Sequence, residues 1–419
     1  MNGKCLLAVL LALAAAFALE GAGRVPEKGV TRYLSNAGDD AADGLTPATA
    51  WRTIARMNRG AEPGDTVCLR RGDVFYGTVL VAGGPDADHC TTVTAYGEGP
   101  KPVVSATKNL KCDPAIWDSK GTGFAAWRTN LRDPANFTGL VDSPDANPGF
   151  LLVDGKIMAW RKFCRHDVNR QWDFSEEDGW LYVLSTNNPA LLAKDIRVAV
   201  REHGFVFTSN TVVRGIAVRN TGAHGMHSGW GSRGDVTHVR ISDCDFENIG
   251  GSELIGYSPK VRVRYGNGVE FGGNCRDAVV ERCTFRGIYD VAMTMQGYPR
   301  FSWSDIHFRD CTVTDCTQAF EVWCQRAPKG VGFERCSFTG NRTVNVGGGW
   351  GAEVRPNRYA ATPLLIYAMD TDTVDITVAS NVFVNVGSCG LIHKSGGLDK
   401  IPKGYRVFDN KVRRTPSDF

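Results

Sequence analysis

The chain has 419 residues and carries 48 Lys and Arg against 45 Asp and Glu, a formal net charge of +3. So even a balance supplies no field to gather nucleic acid or an anionic membrane, and neither is expected as a partner. Forty-eight glycines, with few helix-like periods, require a chain that turns often.

Met1-Asn-Gly-Lys leads into an apolar run from Cys5 to Leu19, with small residues around Ala16 and Ala18. One lysine before a short apolar segment reads as a signal peptide over residues 1–22. The run falls short of the ~20 residues of a membrane span. The mature protein is therefore expected to be secreted or periplasmic, with no membrane attachment after cleavage.

Residues 23–109 read as a cap and the first coils of a repeat fold. Residues 110–200 break the repeat. They hold Gln171-Trp-Asp-Phe, Trp180-Leu-Tyr-Val and several Asn-Pro turns, and read as a small β-rich insertion.

From 201 to 419 one motif recurs. Val239–Ile249 is VRISDCDFENI, Val280–Ile288 is VERCTFRGI, Ile306–Cys316 is IHFRDCTVTDC and Val331–Thr339 is VGFERCSFT. Ile376–Val386 is ITVASNVFVNV and Tyr405–Val412 is YRVFDNKV. Each is an alternating strand, a Cys or Asn, one further residue, then Phe or Val. Aligned on Gly215, Cys244, Cys283, Cys311, Cys336, Asn381 and Asn410, the steps are 29, 39, 28, 25, 45 and 29. A basic unit of this length suits one coil of three short strands. The period of two within each unit excludes a helical solenoid.

Twelve cysteines remain once the signal is removed, an even number that invites disulfides in an exported protein. Four of them, Cys244, Cys283, Cys311 and Cys336, hold the same place in the motif and are expected as one column of buried thiols. No cysteine pair or His-Cys cluster has metal-ligand spacing, and no metal is expected.

These units resemble the right-handed parallel β-helix superfamily that includes pectate lyases and polygalacturonases. Tyr33-Leu-Ser-Asn-Ala-Gly-Asp-Asp, Pro63-Gly-Asp-Thr-Val, Arg71-Gly-Asp-Val-Phe and Thr92-Val-Thr-Ala-Tyr-Gly resemble the opening of secreted bacterial β-helix proteins, many of them carbohydrate-active. The resemblance implies an all-β fold, a right-handed parallel β-helix with a small β-rich insertion, and a polysaccharide or oligosaccharide as partner. It does not fix the reaction, since one fold hosts many chemistries.

Stacked coils align outward side chains into ladders. The strands GMHSG (225–229), GVEFG (268–272), AMTMQ (292–296), FEVW (320–323), LLIYA (364–368) and GLIHK (390–394) precede the motif in successive units. Alternation turns His227, Glu270, Thr294, Gln296, Glu321, Trp323, Ile366 and Lys394 outward, and Leu365 and His393 inward. Glu270 and Glu321 then stand two coils apart, backbones about 9–10 Å from one another. Inverting glycosidases hold their carboxyls ~6.5–9.5 Å apart, with room for a water. Asp290 precedes the Thr294 strand, as a substitute acid or a turn cap. Insertions near 251–264 and 342–362 are expected to wall a groove here. Trp350 and Arg355 in the second are candidates to stack on a sugar and hold its polar groups. His224 and His227, three apart on a strand, are expected to face opposite sides.

Three functions compete. A glycoside hydrolase would use Glu270 and Glu321, with Asp290 in reserve, and His227, Gln296, Trp323, Trp350, Arg355 and Lys394 as substrate contacts. A polysaccharide lyase would take a proton with Lys394, Arg355 or His227, with Ca²⁺ as the one cofactor foreseen and only in this case. A non-catalytic glycan-binding β-helix would need no paired acids. A monomer is expected throughout.

Overall fold

The computed structural model describes residues 29–119, 126–139, 145–162, 164–229, 235–254, 263–298, 300–324, 329–351, 362–366, 373–386, 392–393 and 403–413. Three long sheets of ten, nine and eight strands run the length of the molecule, and every pairing within them is parallel. Each coil contributes one strand to each sheet, so the chain winds as a right-handed parallel β-helix. Its interior is one continuous apolar cluster from Leu34 to Tyr405. Val239, Ile241, Val280, Phe308 and Phe338 point into it from the ten-stranded sheet. Each such side chain contributes roughly 1.5–3 kcal/mol by leaving water.

The turns explain the polar residues of the motif. The residue before each inward Ile, Cys or Asn of this turn is left-handed: Gly215, Asp243, Arg282, Asp310, Gly340, Ser380 and Asp409. A second left-handed residue follows five positions later at Asn220, Asn248, Gly287, Asp315, Asn345 and Asn385. Gly, Asn and Asp bear this conformation at least cost, which is why they recur there.

Two residues of the expected inner column are misplaced. Ser242, Glu281, Arg309 and Thr339 are aligned rung to rung, so the column runs Ile216, Cys244, Cys283, Cys311, Asn341, Asn381, Asn410. Gly215 lies one residue early. Cys336 instead pairs with Ile376, in the column of Ala278 and Ile306. The error has a cause: Arg335-Cys336 mimics Arg282-Cys283 because Arg335 is also left-handed, but at an irregularity inside the strand Gly332–Thr339 and not at a corner. All four cysteines are buried all the same, and all eleven cysteines among the described residues are free thiols. The Cys311 amide N–H donates to Asn341 Oδ1 at 2.9 Å, Asn341 N–H to Asn381 Oδ1 at 2.9 Å and Asn381 N–H to Asn410 Oδ1 at 3.0 Å.

Between Ser105 and Gly204 the chain leaves the helix. The coils on either side stack directly, with Val103 paired to Ala217 and Val79 to Phe205. The excursion forms a four-stranded and a three-stranded antiparallel sheet around a separate apolar cluster that includes Leu151, Phe174, Leu181 and Val198. It docks on the helix through the ribbon of Ser252–Glu253 and Arg264–Tyr265. The Asn147 side chain donates to Glu253 O and accepts from Glu253 N–H, and buried Arg161 reaches Asn147, Glu176 and Glu253 at 2.6, 2.6 and 3.3 Å.

Candidate active site

From Met226 on, the described strands of the eight-stranded sheet are largely buried on both faces where the others alternate. Val269–Gly272 and Thr362–Ile366 are buried at every position, and Val291–Gly297 and Gln318–Cys324 at all but one. Its outer column reads Val206, His227, Glu270, Thr294, Glu321, Leu365. Gln296 and Trp323 pair beside it, two residues further along their strands, and both are half-buried.

Beyond Glu321 the expected register slips by one. Leu365, not Ile366, continues the column, while Leu364 and Ile366 join the core. The strand Thr362–Ile366 pairs without irregularity, and the slip arises because the apolar run Leu364–Ile366 carries no polar residue to mark its phase. Arg355 and Lys394 lie outside the described residues. Trp350 is only 8% exposed. Its indole N–H donates to Gly287 O at 2.8 Å, and its ring packs against Phe150 and Tyr289. It joins the insertion to the helix and does not present a face to a sugar. Asp290 sits half-buried at the corner before its strand, its N–H donating to Gly266 O.

The column is no open groove at Glu270, whose exposure is 0%, nor are its histidines on opposite sides. His224 precedes the strand, which begins at Met226, so strand alternation does not apply to it. Its Nε2 lies 3.3 Å from Glu270 Oε2, and His227 Nε2 lies 3.1 Å from Oε1. His203 joins them, and the three rings are nearly parallel with centroids 4.9–5.1 Å apart. Asn267 Nδ2 donates to Oε2 at 2.6 Å, and Gln296 Nε2 donates to the same oxygen. Tyr265 packs edge-on against His224.

His203 and Asn267 were missed and His224 was turned to the wrong side, though a signal for all three exists. They open His203-Gly-Phe-Val, His224-Gly-Met-His and Asn267-Gly-Val-Glu, three residues ahead of the column on consecutive coils. Each accepts the backbone N–H of the next coil: His203 Nδ1 from His224 at 3.2 Å, His224 Nδ1 from Asn267 at 3.0 Å, Asn267 Oδ1 from Val291 at 3.1 Å. His227 Nδ1 accepts from Gly229 N–H at 3.1 Å.

These bonds fix the tautomers. A nitrogen that accepts an amide N–H carries no proton, so each neutral ring is protonated at Nε2, which faces Glu270 in His224 and His227. Burial pushes His224 down to about 4, against the opposing pull of Glu270. For Glu270, burial favours the neutral acid, but His224, His227 and Asn267 outweigh it and hold the carboxyl well below the usual range.

The ligand atoms of His224, His227 and Glu270 lie within 4.8 Å of one another, the size of a metal site. The hydrogen bonds do not suit one. A metal on Nε2 requires Nδ1–H to donate outward, whereas both Nδ1 atoms here receive a proton. The cluster fits an ionised carboxylate held by neutral donors.

Comparison with known proteins agrees on the fold. The family described as a right-handed beta helix region matches residues 193–358. No curated protein matches the sequence. Among solved structures, XylC in complex with xylose is similar over 92% of this chain and 70% of its own, at 12% identity and a TM-score of 0.54. A GH136 lacto-N-biosidase from Eubacterium ramulus matches over 92% and 68%, at 12% identity and a TM-score of 0.44. An alginate lyase from a Paenibacillus species matches over 87% and 94%, at 8% identity and a TM-score of 0.40. The chain thus has a right-handed parallel β-helix fold.

Proposed function

We propose that this is a secreted enzyme that hydrolyses glycosidic bonds in a polysaccharide, with Glu321 as general acid and Glu270 as the carboxylate base. The observation that carries this reading is the register: Glu270 and Glu321 occupy one outer column with a single residue, Thr294, between them. That places their backbones about 10 Å apart, a separation suited to two carboxyls that share a sugar and a water. Their surroundings divide the roles. Glu270, held ionised by its neighbours, has no proton to give near neutral pH. Glu321 is 7% exposed against 0% for Glu270, and half-buried Trp323 lies two residues along its strand. The fold shared with XylC, a protein seen with xylose, is in keeping with a sugar substrate. No cofactor is needed for this route.

Elimination fits less well. His227, the one candidate base among the described residues, has Nδ1 taken by Gly229 and Nε2 turned to Glu270.

The test is a polysaccharide panel read for new reducing ends and for the ultraviolet absorbance of unsaturated uronates. Reducing ends alone, lost by about 10²–10⁴-fold in Glu321→Gln, are expected. Absorbance together with reducing ends would establish a lyase, and full activity in Glu321→Gln would remove the carboxylate pair.

A further inference from the structure

We infer that Gln296 and Trp323 form a contact site for a neutral sugar unit, and that Glu270 acts on this site from behind by orienting the Gln296 amide. The inference rests on the carbohydrate reading above and adds to it the substrate class, a neutral chain in place of a polyuronate.

Accessibility decides where a sugar can touch this face. Glu270 and Thr294 have no exposed surface. Gln296 and Trp323, paired on adjacent rungs two residues further along, are half-buried. Gly272 stands opposite Gln296 on the preceding rung and adds no side chain to this second column. Tyr298, just past the end of the same strand, is 56% exposed.

The Gln296 amide has one fixed end. Its Nε2 donates to Glu270 Oε2. Glu270 is held ionised, and a carboxylate only accepts, so a reversed amide would set oxygen against oxygen. Gln296 Oε1 is therefore turned away from Glu270. Among the described residues that oxygen has no hydrogen-bond partner, and it is not buried. The same holds for the indole N–H of Trp323.

The site thus presents an acceptor, a donor and an indole ring. Neutral sugar hydroxyls both donate and accept, and the C–H face of the sugar packs on the ring. A uronate carboxylate fits poorly. It would meet the Gln296 carbonyl oxygen, the charge of Glu270 one side chain behind, and Glu321 two residues from Trp323. Neither outer column carries a Lys or Arg among the described residues to offset these. Arg300, in the turn beyond Tyr298, has its guanidinium over the Phe301 ring.

Calorimetric titration of the full chain tests this with two sets of probes. Xylo-, cello- and manno-oligosaccharides form the neutral set, oligogalacturonates and alginate oligomers the acidic one. At least one neutral probe should bind about tenfold tighter than every acidic one, since like charges brought together oppose binding. Gln296→Leu should weaken that binding by about 3–10-fold, the worth of one hydrogen bond. Trp323→Phe, which keeps a ring, should weaken it less than Trp323→Ala, and this pair carries the test if Gln296→Leu does not fold. Glu270→Gln releases the amide and should weaken neutral binding in the parent chain but not in Gln296→Leu, a coupling that a purely structural role would not give. Equal losses in both backgrounds remove Glu270 from the inference. Acidic probes bound as tightly as neutral ones, binding of neither set, or unchanged affinity in both Gln296→Leu and Trp323→Ala overturns it. Neutral binding without any cleavage fails the hydrolytic reading and leaves this site standing, whereas cleavage confined to polyuronates does the reverse.

Discussion

His224 and Glu270 meet at 3.3 Å in the covered outer face of the sheet, and the backbone amide of Asn267 fixes which nitrogen of His224 makes that contact. The carboxylate is thus part of the packing of three coils. Glu270→Gln keeps the shape but turns an amide N–H₂ towards other donors. It should lower stability by about 1–3 kcal/mol, seen as a shift of the denaturation midpoint with an unchanged slope. An unshifted midpoint would mean that the network does not hold the coils together.

The same cluster sets a pH dependence. His224 titrates near 4 in the folded chain and at ~6.5 when unfolded. Between these values the unfolded chain binds more protons, so stability is full above the unfolded value and falls as pH drops towards 4. Glu270, with its pKa depressed, adds a loss only at still lower pH. Denaturant titrations from pH 7.5 to 4.5 should show declining stability, and His224→Gln should flatten the decline. An equal decline in the variant would assign it to other groups.

Asn341 terminates one run of the inner column and begins another. Its Oδ1 takes the Cys311 amide N–H, and its Nδ2 donates to Phe308 O at 3.1 Å. Asn341→Ala strands both in the core and should cost about 1–3 kcal/mol or more. Cys311→Ala removes only a buried thiol and should cost less. Chemical denaturation of the two variants side by side decides the order.

Trp350 separates packing from recognition. As a buried bridge between helix and insertion, Trp350→Ala should cost about 3–5 kcal/mol and admit protease to the insertion's linkers first. A sugar-stacking residue would raise KM and leave the melting temperature alone.

Period-two alternation and the recurrent Asn, Asp and Gly at left-handed corners were enough to place the coils and to set Glu270, Thr294 and Glu321 on one face. They failed where an irregularity inside a strand looks like a corner, as at Arg335-Cys336, and where an apolar run such as Leu364–Ile366 has no polar residue to mark its phase. The environment of Glu270 was harder to foresee. Outward on a strand had to be read as exposed, but His203 and His224 come from corners, not strands, and they cover it. Strand periodicity is silent about corners. The spacing of His or Asn before Gly on three coils was the one trace of them in the chain.

The five-residue interval between the two left-handed columns never varies from Gly215 to Asn385, although the coils themselves differ by a dozen residues in length. All that variation is carried by the remaining part of each turn, next to the sheet that bears Glu270. One flank therefore behaves as a fixed spine and the other as a set of exchangeable cassettes. A loop grafted from another coil-built protein at that flank should alter which polymer is held without disturbing the stacking behind it.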